Sequence, residues 1–162
     1  MSKIFDNIEM SFESGLKAIL SNIGVKRADF CVGYFNLRGW KLVADYVEVL
    51  PGAEVFEKDA HGHTSKVHRV CRLLIGMHRQ PADLVREMFS AETQIVDNAQ
   101  AAAWRQSVLA DLRRQLTFGL QTNEDEAALR KLKAQLAAGK VAVKLHLRYP
   151  LHAKLYLAQS RR

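Results

Sequence analysis

Two short runs constrain this chain most: Ala28-Asp29-Phe30-Cys31-Val32-Gly33-Tyr34-Phe35 and Val70-Cys71-Arg72-Leu73-Leu74-Ile75-Gly76-Met77. Each is short and largely apolar, a pattern that suits a strand covered on both faces. Helical patterns surround them. From Ile4 to Ile23, the residues Ile4, Ile8, Phe12, Leu16, Ile19 and Leu20 recur at three- and four-residue steps, before a stop at Ser21-Asn22-Ile23-Gly24. Asn36-Leu37-Arg38-Gly39 turns the chain into a second helix, Trp40 to Leu50, ended by Pro51-Gly52. Ala53 to Phe56 reads as a short strand and Asp59 to Thr64 as a mobile loop. Pro81 opens a long helical stretch to Phe118, with a break near Ser90. Thr122 or Asn123 caps a further helix that stops at Ala138-Gly139-Lys140. Strands at Val141–Leu147 and Ala153–Ala158 follow, joined across Arg148-Tyr149-Pro150. This order predicts an α/β sandwich built on a mixed sheet.

The length of 162 residues suits one domain with a real core. No apolar stretch approaches the roughly 18 residues that span a membrane, and Met1 to Met10 lacks a signal peptide's apolar segment. A cytoplasmic location without membrane association is the default expectation. Cys31 and Cys71 sit inside apolar runs and read as buried free thiols on neighbouring strands. The net charge of +7 favours polyanionic partners, and Lys140, Lys144, Arg148, Lys154, Arg161 and Arg162 crowd the last quarter.

The candidate chemistry lies in Leu151-His152-Ala153-Lys154-Leu155-Tyr156-Leu157. In a strand, His152, Lys154 and Tyr156 project to one face, while Ala153, Leu155 and Leu157 pack behind them. An imidazole beside an ammonium suits a phosphodiester: the first can attack phosphorus, and the second can neutralise the non-bridging oxygens. Tyr34 and Asn36 end the first strand, where ligands collect in α/β sheets, and are candidate substrate-binding residues with Tyr156. A turn-forming role for Asn36 and a packing role for Tyr156 are the structural alternatives. His61, His63 and His68 have only Asp59 as a close carboxylate, so they read as a solvated loop rather than a metal site. His146 reads as a surface residue beside Lys144, and Trp40 and Trp104 as core or interface residues. No Gly-rich phosphate loop of the Walker kind is present.

The string His152-Ala153-Lys154-Leu155-Tyr156 resembles the His-x-Lys motif of the phospholipase D superfamily. It is most similar to the divergent branch found as an N-terminal module on helicases and in restriction-type nucleases. Val32 to Gly39 resembles that branch's first strand and helix start, and Leu73-Leu74-Ile75-Gly76 its second strand. The resemblance spans residues 28 to 158. It implies a phospholipase D-like α/β/α sandwich over residues 1–162, one half of the usual two-motif arrangement, at the N-terminus of a longer helicase- or nuclease-type protein. A helicase domain is then expected in sequence beyond Arg162.

The resemblance further implies a two-step phosphohistidine mechanism with no metal and no cofactor. One histidine attacks phosphorus, and a second protonates the leaving oxygen and then activates water. Carried over, His152 is nucleophile or acid/base and Lys154 the phosphate clamp. The second histidine comes from a tandem repeat or from a homodimer. Two departures stand out: the family's Asp five residues after the Lys is Gln159 here, and no Gly-Ser-x-Asn segment follows within the chain. The expected function is a nuclease module, or a degenerate DNA-binding module, acting on nucleic acid, with DNA preferred to RNA. The alternatives are a non-catalytic self-association or interaction domain, and a lipid phosphodiesterase of the same superfamily.

Overall fold

The computed structural model describes residues 11–59, 61–76, 97–118, 122–146, 151 and 153–160. Among the described residues six strands form two sheets: β1 (Val25–Val32), β2 (Ala53–Lys58), β3 (Thr64–Arg69), β4 (Cys71–Gly76), β5 (Val141–His146) and β6 (Lys154–Ser160). The larger sheet has the order β5-β4-β1-β6, with β1, β4 and β5 parallel and β6 antiparallel to β1. The smaller is the antiparallel hairpin β2–β3. The chain is therefore α/β with a mixed sheet, as the alternation of patterns predicts.

The described α-helices are α1 (Phe12–Leu20), α2 (Ala44–Val49), α3 (Asn98–Thr117) and α4 (Asn123–Ala137), and all but α2 have a side-chain cap at the start. Ser11 accepts the Ser14 N–H at α1. Asp97 and Gln100 form a reciprocal capping box at α3. At α4 the cap is Thr122, followed by Glu124, Asp125 and Glu126, whose charges suit the helix N-terminus. Gly139, at φ +68°, supplies the left-handed residue that ends α4. The segment read as a helix from Trp40 instead starts as a 3-10 turn, Arg38–Leu42, and becomes α-helical only after Val43. Val43 sits at φ −122°, ψ −13°, outside helical geometry, and its β-branched side chain disfavours a continuous helix there. Residues 77–96 and 1–10, which carry parts of two expected helices, lie outside the described residues.

Ala28, Phe30 and Val32 of β1 share a sheet face with Cys71, Leu73 and Ile75 of β4 and Val141 of β5. This face forms the core with Trp40, Val47 and Leu132, and Leu16, Leu112 and Leu116 pack against it. All the described helices thus contribute to one side. The reason is topological: β1 to β4 and β4 to β5 step the same way across the sheet, and right-handed crossovers then lie on the same face.

The opposite face departs from the expected covering on both sides. It carries Asp29, Cys31, Arg72, Leu74, Leu155 and Leu157, and the described residues lining a cavity of about 270 Å3 there all belong to strands, Glu57 of β2 among them. Leu155 and Leu157 are 50% and 53% exposed, so they do not pack behind the strand as their alternation suggests. Asp29 accepts from Arg72 Nε at 2.9 Å and from a terminal nitrogen of both Arg72 and Arg27 at 2.8 Å. Burial pushes the Asp29 carboxyl up, but the Arg72 hydrogen bond and the two guanidinium charges outweigh this and hold it below its ordinary value. Cys71 is buried and Cys31 half-buried, both free, on paired strands but opposite faces. Burial pushes the Cys71 thiol far up, which leaves it inert. No described helix is long and apolar enough to cross a membrane.

Candidate functional site at the carboxyl end of the sheet

The parallel strands β1 and β4 end at Val32 and Gly76, and β6 begins beside them. Lys154 opens β6 directly opposite Val32, and Tyr156 lies opposite Phe30. Opposed residues of an antiparallel pair share a face, so Lys154 and Tyr156 lie on the helix-covered side. His152 lies outside the described residues. Lys154 is exposed, while Tyr156 is half-buried, its ring 4.9 Å from Phe12 and 5.3 Å from Phe30. The packing role of Tyr156 is therefore real, and it coexists with a place at a cavity wall.

Gly76 lets the lead-in to β6 approach the sheet, and the Gly33 backbone bonds to that segment. Gly33 N–H donates to Ala153 O at 2.7 Å. A Cβ on Gly76 would overlap the Leu151 carbonyl oxygen and lie 3.1 Å from Gly33 Cα. Gly76 falls at the end of an apolar run, where a small residue permits close backbone approach.

Tyr34 and Asn36 lie just beyond β1 rather than within it. The Asn36 side chain accepts the Arg38 N–H at 2.9 Å, the turn-forming role that the sequence allowed. Tyr34, Asn36 and Tyr156 nonetheless line one cavity of about 270 Å3, with Phe12 and Trp40. A second cavity, of about 540 Å3, shares Tyr34 and Phe35 of the same loop. It is lined by Tyr34, Gly76, Ser107, Asp111, Arg114 and Phe118, among others.

The side chain of Gln115 ties α3 to this loop, accepting the Leu37 N–H at 3.0 Å and donating to Phe35 O at 3.1 Å. Arg38 donates to Phe118 O. Sequence reasoning missed Gln115 and Arg114, because a polar residue on a weakly amphipathic helix carries no signal of a distant loop partner, and it read Phe118 only as the end of that helix.

The histidine loop between β2 and β3 is locally satisfied. Asp59 accepts the backbone N–H groups of His61 and His63 at 2.8 and 2.9 Å, and its other oxygen lies 3.2 Å from His63 Nδ1. Desolvation pushes the Asp59 carboxyl up, and these N–H groups more than offset it. His68 Nε2 lies 3.0 Å from Pro51 O, engaged on the other end of the hairpin. Among the described residues no cluster of three potential ligands could hold a metal. His146 ends β5 half-buried, opposite Gly76.

Comparison with family models, with curated proteins and with solved structures found no match.

Proposed function

We propose that this chain is a phospholipase D-like nucleic-acid phosphodiesterase module, or its DNA-binding descendant, with Lys154 as phosphate clamp and His152 as nucleophile or acid/base. The observation that supports it best is positional: Lys154 opens β6 at the sheet end that also carries the Tyr34–Asn36 loop. Ligands of α/β sheets collect at that end, and an exposed ammonium there is available to a phosphodiester.

In the chemistry this reading implies, a histidine nitrogen bonds phosphorus as the bond to the leaving oxygen breaks, and a second histidine protonates that oxygen. The second histidine then takes a proton from water, whose oxygen attacks phosphorus and breaks the P–N bond. Two motifs are needed, so a single copy of this chain binds phosphate better than it cleaves it.

Binding directed at phosphate weakens with salt, because each neutralised phosphate releases counterions. Four contacted phosphates on duplex correspond to a log–log slope of about −3.6. Lys154→Ala is expected to lower affinity alike for unrelated sequences and to flatten that slope by about one unit. Titrations of a labelled duplex at several salt concentrations measure both. An unchanged slope in Lys154→Ala would remove Lys154 from the phosphate contacts, and preference for anionic vesicles would favour a lipid substrate.

A second reading, a self-association or interaction domain, draws support from the half-exposed Leu155 and Leu157 on the open sheet face.

A further inference from the structure

We infer that the larger cavity at the sheet end is a nucleobase pocket, so that the nucleic acid taken by this module is unpaired where it meets the site. The inference rests on the nucleic-acid reading above and narrows its substrate class to single strands. Its observations are separate from the His-x-Lys motif. Tyr34 and Phe118 are among the most exposed aromatic residues described, at 62% and 68%, and both line the same cavity. Large aromatic side chains left in water cost free energy unless a partner covers them. Here they come from chain segments far apart in sequence and converge on one concavity.

That convergence is built. The Gln115 amide joins α3 to the loop at both Leu37 N–H and Phe35 O, and Arg38 holds the Phe118 carbonyl. Tyr34 and Phe118 are therefore carried on backbone segments fixed to each other.

The volume of about 540 Å3 falls in the range of roughly 300–1,000 Å3 typical of ligand pockets. Its polar wall, Ser107, Asp111 and Arg114, offers donors and acceptors for a base edge, with Arg114 also paired to Asp111. Aromatic platforms beside cationic residues bind unpaired bases with little regard to sequence. Bases in a duplex are stacked on one another, so a duplex must expend unstacking energy before it can fill the pocket. Tyr34 also lines the smaller cavity with Asn36 and Tyr156, which sets the base pocket next to the proposed phosphate end.

The test compares three labelled probes of equal length: a single-stranded oligodeoxythymidylate, the same backbone made wholly abasic, and a duplex. The chain is expected to bind the single strand about tenfold or more tighter than the abasic strand, as base–aromatic stacking predicts. Tyr34→Ala and Phe118→Ala should each abolish most of that preference, and Phe118→Ala, away from the phosphate end, should leave abasic binding unchanged. Tyr34→Phe, which keeps the ring, should retain it. Lys154→Ala should weaken all three probes together.

Equal, salt-sensitive binding of the single and abasic strands would overturn the base pocket and leave the phosphate site standing. Loss of abasic binding in Phe118→Ala would also overturn it, because the ring would then act on the backbone or the fold. Failure to bind any of the three probes would overturn both readings.

Discussion

Trp40→Ala is expected to destabilise the fold by about 3–5 kcal/mol, the range for removing a large buried aromatic. Trp40 is 1% exposed and packs where the 3-10 turn, α2 and β1 converge in the core. Its loss leaves a cavity and also strands a polar partner. The indole Nε1 donates to Gln135 Oε1 at 3.2 Å, and Gln135 is itself buried, its amide nitrogen donating to Ala44 O at 3.0 Å and Glu48 Oε2 at 2.9 Å. An acceptor left unpaired there costs about 1–3 kcal/mol, part of the same total. Trp40→Phe fills most of the volume but not the hydrogen bond, and is expected to fall between the wild type and Trp40→Ala. Urea denaturation followed by far-ultraviolet circular dichroism measures the three proteins. A loss below about 1 kcal/mol for Trp40→Ala, no larger than an average substitution, would contradict the placement of Trp40 in the core.

Gly76→Ala is expected to act on the fold and on the site together. The added methyl meets the Leu151 carbonyl oxygen, lies 2.9 Å from Leu151 Cβ and 3.1 Å from Gly33 Cα, and most of these are backbone atoms that cannot rotate away. Overpacking of this kind costs about 1–3 kcal/mol. Relief comes from displacing the segment that leads into β6, and displacements of about 1 Å at a site can cost about 100-fold in its function. Nucleic-acid affinity should therefore fall further than in Lys154→Ala, with the smaller β2–β3 sheet unaffected. Gly39→Ala is the control: its Cβ would lie 3.8 Å from Asn36 Cβ, an ordinary contact, and both stability and binding should be retained. If Gly76→Ala bound like the wild type, the close approach of Leu151 to the sheet would not be shaping the site.

The central sheet was legible because β1 and β4 lie in its middle, and middle strands need apolar residues along their length. The antiparallel hairpin was only half legible. Ala53 to Lys58 has Val55 to mark it, but Thr64-Ser65-Lys66-Val67-His68-Arg69 carries a single apolar residue. It pairs with β2 mostly in the open, with burial at few positions, so hydrophobic periodicity had nothing to report. The sheet face that no described helix packs on was missed for another reason. Asp29 and Arg72 interrupt the two apolar runs on one side only, and the ion pair they form across β1 and β4 became visible only with the register.

At the candidate site, two-residue spacing put Lys154 and Tyr156 on one face and the end of the first strand pointed to Tyr34 and Asn36, but α3's place beside that loop could not be read. Gln115 and Phe118 reach the loop after β1 across 78 or more residues of sequence, through hydrogen bonds that no local pattern encodes.

The proposed function requires that nucleic-acid phosphate meet the chain at the start of β6. Backbone amide chemical shifts measure that location directly, during titration with a short phosphodiester oligonucleotide and, separately, with its uncharged methylphosphonate counterpart. The account predicts perturbations at Gly33, Tyr34, Ala153 and Lys154 with the phosphodiester. The methylphosphonate should perturb Ala153 and Lys154 far less, because the backbone charge is gone while the bases are unchanged. Perturbations confined to the β2–β3 hairpin or to α4, or equal shifts at Lys154 with both oligonucleotides, would contradict it.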